Sequence, residues 1–241
     1  MKRIITVVHS VLVGVWLIFS TVLYSVPAIT FGLFSRPLGR IVGRAWARHL
    51  MFFAGVRLTV EGAEKLQRNG SYVFMSNHAS GFDIPILLAT LPDNLTFMAK
   101  KELFRIPVFG WGMTALGHMP VDRSSARKAL KSIERVVERI RSEHLSVLLF
   151  PEGTRSSTGE LNVFKQGSMA LPLKARVPLV PVYLQGTHHI NRKNSRLIHP
   201  GNVKVMIGEP IALDGPTDLD KREILLRVRE AIEAMKARAD C

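Results

Sequence analysis

The sequence predicts an α/β fold, a mixed sheet covered by helices, with an N-terminal hydrophobic two-helix membrane motif ahead of it. Three observations predict it. From Val56 onward, short β-prone runs alternate with segments of helical period, the pattern of strands joined by helices. Before that point, Ile4 to Ser35 contains no Lys, Arg, Asp or Glu. The 241 residues, 47% of them hydrophobic, suffice for one large core with a small appendage. The expected division is 1–55 for the membrane-associating helices and 56–241 for the α/β domain.

The charge-free run exceeds the roughly 20 residues of helix that a hydrocarbon core requires, so it can span a bilayer or enter and turn. A secretory signal peptide competes with this reading: Lys2 and Arg3 precede the apolar run, and Val26-Pro27-Ala28 resembles a cleavage site. The next segment, Ser35 to Gly55, favours the membrane motif. Ser35 is placed as an N-cap, Pro37 in the first turn and Gly55 as the stop. Arg36, Arg40, Arg44 and Arg48 recur every four residues and so share a face about 120° wide, suited to lipid phosphates. Gly39 and Gly43 offer close approach to the preceding helix.

Beyond Gly55, strands are expected at Val56–Val60, Tyr72–Met75, Leu95–Ala99, Ser146–Phe150, Leu179–Leu184 and Val203–Ile207, with Met119–Val121 a short extended piece. Helices are expected at Ile84–Ala89, Ile106–Leu116, Ser124–His144, Gly167–Ala175 and Leu219–Ala239. In the third of these, Leu130, Ile133, Val137 and Ile140 form the apolar stripe. In the last, Ile224, Leu225, Val228, Ile232 and Met235 do.

The 33 Lys and Arg against 19 Asp and Glu give a net charge of +14, which implies an anionic partner: nucleic acid, phosphorylated substrate or an anionic membrane surface. No groove-reading motif or basic-aromatic platform appears, so nucleic acid is not expected. The single cysteine, Cys241, excludes an intramolecular disulfide and any cysteine-based zinc cluster.

Chemistry concentrates in two stretches. In Ser76-Asn77-His78-Ala79-Ser80-Gly81-Phe82-Asp83, a turn between strand and helix can bring His78 and Asp83 together. The carboxylate then fixes the imidazole tautomer and raises the basicity of its other nitrogen. Capping and loop work is the plain alternative. Phe150-Pro151-Glu152-Gly153-Thr154-Arg155-Ser156 follows a strand. There Gly153 and Thr154 let backbone approach an anion, Arg155 offers a fork for phosphate, and Glu152 can hold a guanidinium or a hydroxyl. A tight turn with a surface arginine explains the same residues. Lys100-Lys101-Glu102 and Gly117-His118-Met119-Pro120-Val121-Asp122-Arg123 place further basic residues at strand ends; His118 reads as structural.

Asn77-His78 with Asp83, then Phe150 to Ser156, then Val177-Pro178-Leu179-Val180-Pro181-Val182 resemble the glycerolipid acyltransferases in order and spacing, most closely bacterial 1-acylglycerol-3-phosphate acyltransferases. The similarity covers roughly Val56 to Ile211. Gly117 to Arg123 fits the family's second box, except that Pro120 stands where a bulkier apolar residue is common. The resemblance implies His78 as general base and Asp83 as its orienting partner. Arg155, shaped by Glu152, Gly153 and Thr154 and assisted by Arg123, would hold the acceptor's phosphate. Lys100, or Lys101 one register on, would lie near the thioester carbonyl, and Val177 to Val182 would border the acyl channel. It further implies lysophosphatidic acid as acceptor, an acyl carrier protein or CoA thioester as co-substrate, no other cofactor and no metal. The implied location is the inner membrane, with the site facing the cytoplasm. Another lysolipid such as lyso-ornithine lipid, or a non-catalytic basic membrane-binding protein, are the alternatives.

Overall fold

The computed structural model describes residues 2–122, 124–213 and 220–240. Two helices open the chain, α1 (Lys2–Phe34) and α2 (Arg36–Phe53). They are followed by β1 (Val56–Glu61), β2 (Val73–Ser76), α3 (Asp83–Thr90), β3 (Leu95–Lys100), α4 (Phe109–Ala115), β4 (Met119–Val121), α5 (Ala126–Glu143) and β5 (Ser146–Leu149). The remainder is α6 (Ala170–Ala175), β6 (Leu179–Gln185), α7 (Thr187–Ile190), β7 (Gly201–Ile207) and α8 (Lys221–Asp240). The strands form one mixed sheet in the order β1-β7-β6-β2-β5-β3-β4, with β6 and β7 antiparallel and all other neighbours parallel.

Because successive strand residues point to opposite faces, each inner strand feeds two cores. Phe74, Leu148, Val180 and Val182 pack on one face with Leu50, Met51 and Ala54 of α2 and with Phe82, Ile86 and Leu87 around α3. On the other face, Met75, Leu179 and Tyr183 meet α8 through Ile224, Val228 and Ile232. Val147 meets Val136, Val137 and Ile140 of α5 there as well. The buried stripe of α5 runs through Val136, while Leu130 is exposed; the expected stripe was displaced at its N-terminal end.

Residues 1–55 share the first of these cores. Val13 of α1 is buried in it, and Ser10 Oγ accepts from Ile198 N at 2.8 Å. Gly39 lets the two opening helices touch, since a Cβ there would stand 3.1 Å from Gly32 Cα. Gly43 instead faces Leu116, so only one of the two glycines serves that contact. α1 is thereby packed into the fold.

Other differences have local causes. Ser35 makes no capping bond. The helix expected from Ile106 begins only at Phe109, because Pro107 holds Ile106 extended (φ −70, ψ 119) and a 3-10 turn occupies Lys101–Arg105. Ser125 caps α5 by accepting from Lys128 N at 3.3 Å, and His144 ends that helix in the left-handed region (φ 50). The expected start of the last helix at Leu219 falls outside the described residues.

The arginine row of α2 is divided between the surface and the interior, where the expectation set all four on one outward face. Arg36 Nη1 donates to both oxygens of Glu143 at 2.8 and 3.0 Å, and Arg44 pairs with Asp93 at 2.6 Å and donates to Leu91 O. Arg40 lies between them, half-buried like Arg44, while Arg36 and Arg48 are exposed. Outward go Leu38, Ile41, Phe52 and Phe53, beside Ile4, Val8, Leu12, Val15, Phe19, Val22 and Val26 of α1. Polar groups inside and carbon outside is the arrangement for a helix whose outer solvent is lipid. α1 is itself long and apolar enough to cross a bilayer.

Candidate active site

The site forms where β2, β5 and β6 end at one edge of the sheet, the usual ligand edge of an α/β fold. Asn77 continues β2 by side chain rather than backbone. Its Nδ2 donates to Leu184 O at 3.0 Å and its Oδ1 accepts from Leu184 N at 2.7 Å, which locks the turn to β6. The backbone of His78 is then clamped from the other side. Its N–H donates to Glu152 Oε1 at 2.8 Å, and its carbonyl accepts from Ser156 N at 2.7 Å.

Asp83, fully buried at the first position of α3, closes the turn. Its Oδ2 accepts from Ala79 N at 2.8 Å, from Ser80 N at 2.9 Å and from His78 Nδ1 at 2.7 Å. An imidazole that donates from Nδ1 presents an unprotonated Nε2, and no described residue bonds that nitrogen. The ring stacks on Phe150, with centroids 3.9 Å apart and planes 15° from parallel, and keeps 18% of its side-chain surface open. The arrangement suits a general base, with a fixed tautomer, a fixed plane and one free lone pair.

The second stretch divides into two roles. Glu152 is only 2% exposed, and its Oε2 accepts from Asn162 N at 3.0 Å while Oε1 holds His78. Both oxygens are committed to backbone, so Glu152 positions the base rather than meeting a guanidinium or substrate, which corrects the expectation. Gly153 and Thr154 are exposed at the tip of a tight turn closed by Gly153 N to Phe150 O at 3.0 Å. Arg155 reaches across the site: its Nη1 lies 3.5 Å from where a Cβ on Gly81 would stand. Lys165 Nζ lies 3.1 Å from the corresponding point on Gly153, giving the loop a second cation that sequence spacing did not single out.

Lys100 is not brought to His78. It ends β3, two strands from β2 or roughly 10 Å at about 4.8 Å per strand, exposed and nearest Glu102 at 3.9 Å. Lys101 is held by Asp122 at 2.7 Å, so it is no substitute. That ammonium and the Ser124 N–H hold the Asp122 carboxyl well below the ordinary range. Arg123 lies outside the described residues. His118 is structural: it is buried against Phe97 with Thr96 Oγ1 at 3.3 Å, and burial, then Arg40 and Arg139, push its pKa down to about 3.

The sequence did not reveal α7, whose loop walls the site. A Cβ on Gly81 would stand 3.0 Å from Asn191 Oδ1, and one on Gly159 would stand 3.1 Å from the His188 ring. Burial, then Arg192 and His189, lower the His188 pKa. Nor did it reveal a cavity of about 560 Å³ bounded by α1, α2, α3, β3 and α4. Gly81, Phe82 and Ala99 line it at the edge where His78 sits, and Leu17, Ile18, Val22, Leu88 and Phe97 line its length. Val177 to Val182 do not line it; β6 lies on the far side of β2, within the central sheet.

A family model described as Acyltransferase matches residues 57–185. Among similar proteins, a 1-acyl-sn-glycerol-3-phosphate acyltransferase of Cocos nucifera is 38% identical over 176 residues, 73% of this chain and 56% of its own. The protein of that name from Limnanthes alba is 33% identical over 73% of this chain and 62% of its own. The alpha form of Mus musculus is 29% identical over 76% and 65% respectively. The chain thus spans between about half and two-thirds of the length of these relatives. A crystal structure of the 1-acyl-sn-glycerophosphate acyltransferase PlsC from Thermotoga maritima superposes with a TM-score of 0.87 over 100% of this chain and 98% of that one, at 23% identity, and so shares the fold.

Proposed function

The chain belongs to the acyltransferase family, and from that premise we propose that it is a 1-acyl-sn-glycerol-3-phosphate O-acyltransferase, moving an acyl chain from an acyl carrier protein or CoA thioester to the sn-2 hydroxyl of lysophosphatidic acid. One observation carries the proposal: an imidazole with a free Nε2, fixed by Asp83 at 2.7 Å, sits on a turn whose Gly81 and Phe82 line an apolar cavity, with Arg155 Nη1 3.5 Å from where a Cβ on Gly81 would stand.

His78 Nε2 takes the hydroxyl proton as the oxygen attacks the thioester carbonyl carbon. The Asp83 carboxylate stabilises the imidazolium so formed. The tetrahedral intermediate collapses with cleavage of the C–S bond, and the proton passes from Nε2 to the departing sulfur, leaving an ester and a thiol. Arg155, with Lys165, suits the acceptor's phosphate by charge and by the guanidinium fork. The cavity suits the acyl chain. The exposed apolar face of α1 and α2 supports a membrane location, proposed as the cytoplasmic face of the inner membrane, where a water-soluble thioester donor has access.

Purified protein incubated with lysophosphatidic acid or lyso-ornithine lipid, each with both donor types, should yield phosphatidic acid as the main product by mass spectrometry. His78→Ala should lower turnover by about 10²- to 10⁴-fold. A folded His78→Ala protein turning over at the parent rate refutes the mechanism; preference for the lyso-ornithine acceptor refutes the choice of substrate.

A further inference from the structure

The sheet edge that carries His78 also carries a strip of cations for which the proposed reaction has no use. β2, β5, β3 and β4 are parallel and end at that edge, and α5 starts just beyond the end of β4. Asp122 N donates to Ser132 Oγ at 3.3 Å, which fixes the first turns of α5 beside the strand end. Arg127, Lys128, Lys131 and Arg135 are exposed there and fall within about 100° of one another around the helix. Among the described residues, none of the four has an ion pair. Two neighbouring carboxylates are already taken, Asp122 by Lys101 at 2.7 Å and Glu134 by Lys174 at 3.0 Å. Glu138 shares the arc but stands nearer the far end of the helix. Lys100, exposed at the end of β3, continues the strip towards His78.

The kind of partner follows from the side of the sheet. α2 and α3 pack on one face, with Val13 of α1 in the same core, whereas α5 packs on the other face through Val136, Val137 and Ile140 against Val147. The strip is thus on the opposite side from the apolar helices, so its natural neighbour is a soluble polyanion rather than lipid. We propose that Arg127, Lys128, Lys131 and Arg135 form the docking surface for an acidic acyl carrier protein, so that the donor arrives on a protein in preference to CoA. This rests on the proposed reaction. Close opposite charges steer two proteins together and fix their register. The reach agrees: three strand spacings separate β4 from β2, roughly 14 Å at about 4.8 Å each. A phosphopantetheine arm is about as long as five extended residues, roughly 16 Å. A carrier seated on α5 can therefore hold its thioester at His78.

The test compares three donors of one chain length on the full protein: acyl carrier protein, acyl-CoA and acyl-phosphopantetheine, the last having the arm without protein or nucleotide. Lys128→Glu with Lys131→Glu should lower kcat/KM for the carrier protein by about 10- to 100-fold at low salt, chiefly through KM. Added salt should narrow the gap from the parent, because the charges are exposed. Transfer from acyl-phosphopantetheine, the melting temperature and sedimentation with anionic vesicles should stay as in the parent. Lys128→Gln with Lys131→Gln should show the same pattern with a smaller fall. An equal loss with all three donors overturns the inference, and so does an equal loss with carrier protein and CoA, since a strip that reads nucleotide phosphates needs no protein. Lost vesicle sedimentation with unchanged carrier kinetics overturns it in favour of lipid. Binding of a fluorescently labelled carrier, read by anisotropy and weakened in the double variant, would support the docking surface even in a protein that transfers nothing from any donor, a result that would overturn the proposed reaction instead.

Discussion

Glu152→Gln separates a residue that holds the base from one that holds the substrate. In the native site both carboxylate oxygens accept from backbone N–H groups, His78 N at 2.8 Å and Asn162 N at 3.0 Å. The amide can keep one of these bonds, but its NH₂ must then face the other N–H. One charge-assisted bond is lost, about 1.5–3 kcal/mol, and a buried donor is set against a donor. The structure relieves this by moving the more weakly held partner. If Asn162 moves, the cost is stability; if His78 moves, Nε2 leaves the line of attack. The expected result is a lower melting temperature together with a fall in kcat of about 10- to 100-fold, the range for a small misplacement of a catalytic group. The KM for lysophosphatidic acid should change little, because Glu152 is 2% exposed and both its oxygens are committed to backbone N–H groups. Steady-state kinetics in both substrates, beside thermal unfolding of the same preparation, decides the matter. A rise in acceptor KM at unchanged kcat and stability would show that Glu152 meets the substrate and that the positioning argument is wrong.

Asp83→Asn keeps an oxygen able to accept from Ala79, Ser80 and His78 but removes the charge that stabilises the imidazolium, so kcat should fall by about 10²-fold or more with the fold retained in circular dichroism. Activity near that of the parent would remove Asp83 from the mechanism. For His118 the folded pKa of about 3 lies below the ordinary histidine value of 6.5, so the unfolded chain binds the extra proton and stability falls as pH drops through that window. The loss should be about 1.4 kcal/mol per pH unit, and His118→Gln should flatten it in urea titrations; an unchanged slope contradicts the assignment. Leu12→Asp with Val15→Asp, on the exposed face of α1, should abolish sedimentation with lipid vesicles while leaving the melting temperature within a few degrees. Retained binding would place the membrane face elsewhere.

What the sequence revealed and what it concealed divide along chain separation. The spacing of His78 and Asp83 was legible because the turn that joins them is local: Asp83 starts α3, and its carboxylate reaches back over three to five residues to two amides and one imidazole. The strands were legible because β2, β5 and β6 are buried runs bounded by turn residues. The clamp on His78 was not, since Glu152 is 74 residues away and its pattern fits a surface turn equally well. Lys100 and Lys101 sit at a strand end as expected, but the strand order puts β5 between them and β2, and order across a sheet is not written in spacing.

The arginines of α2 show a different limit. Their four-residue period is a true statement about one face of a helix, but period alone does not say which solvent lies opposite. In water the charged face of an amphipathic helix goes out; here Leu38, Ile41, Phe52 and Phe53 are exposed together with Arg36 and Arg48, while Arg44 turns in to Asp93. The exposed apolar residues adjoin α1, which is apolar over 32 residues and leaves the same flank without polar cover. Arg36 and Arg44 take Glu143 and Asp93, and the Nε and Nη1 of Arg40 stay buried without a hydrogen-bond partner, a pairing across the fold that a four-residue period on one helix does not encode.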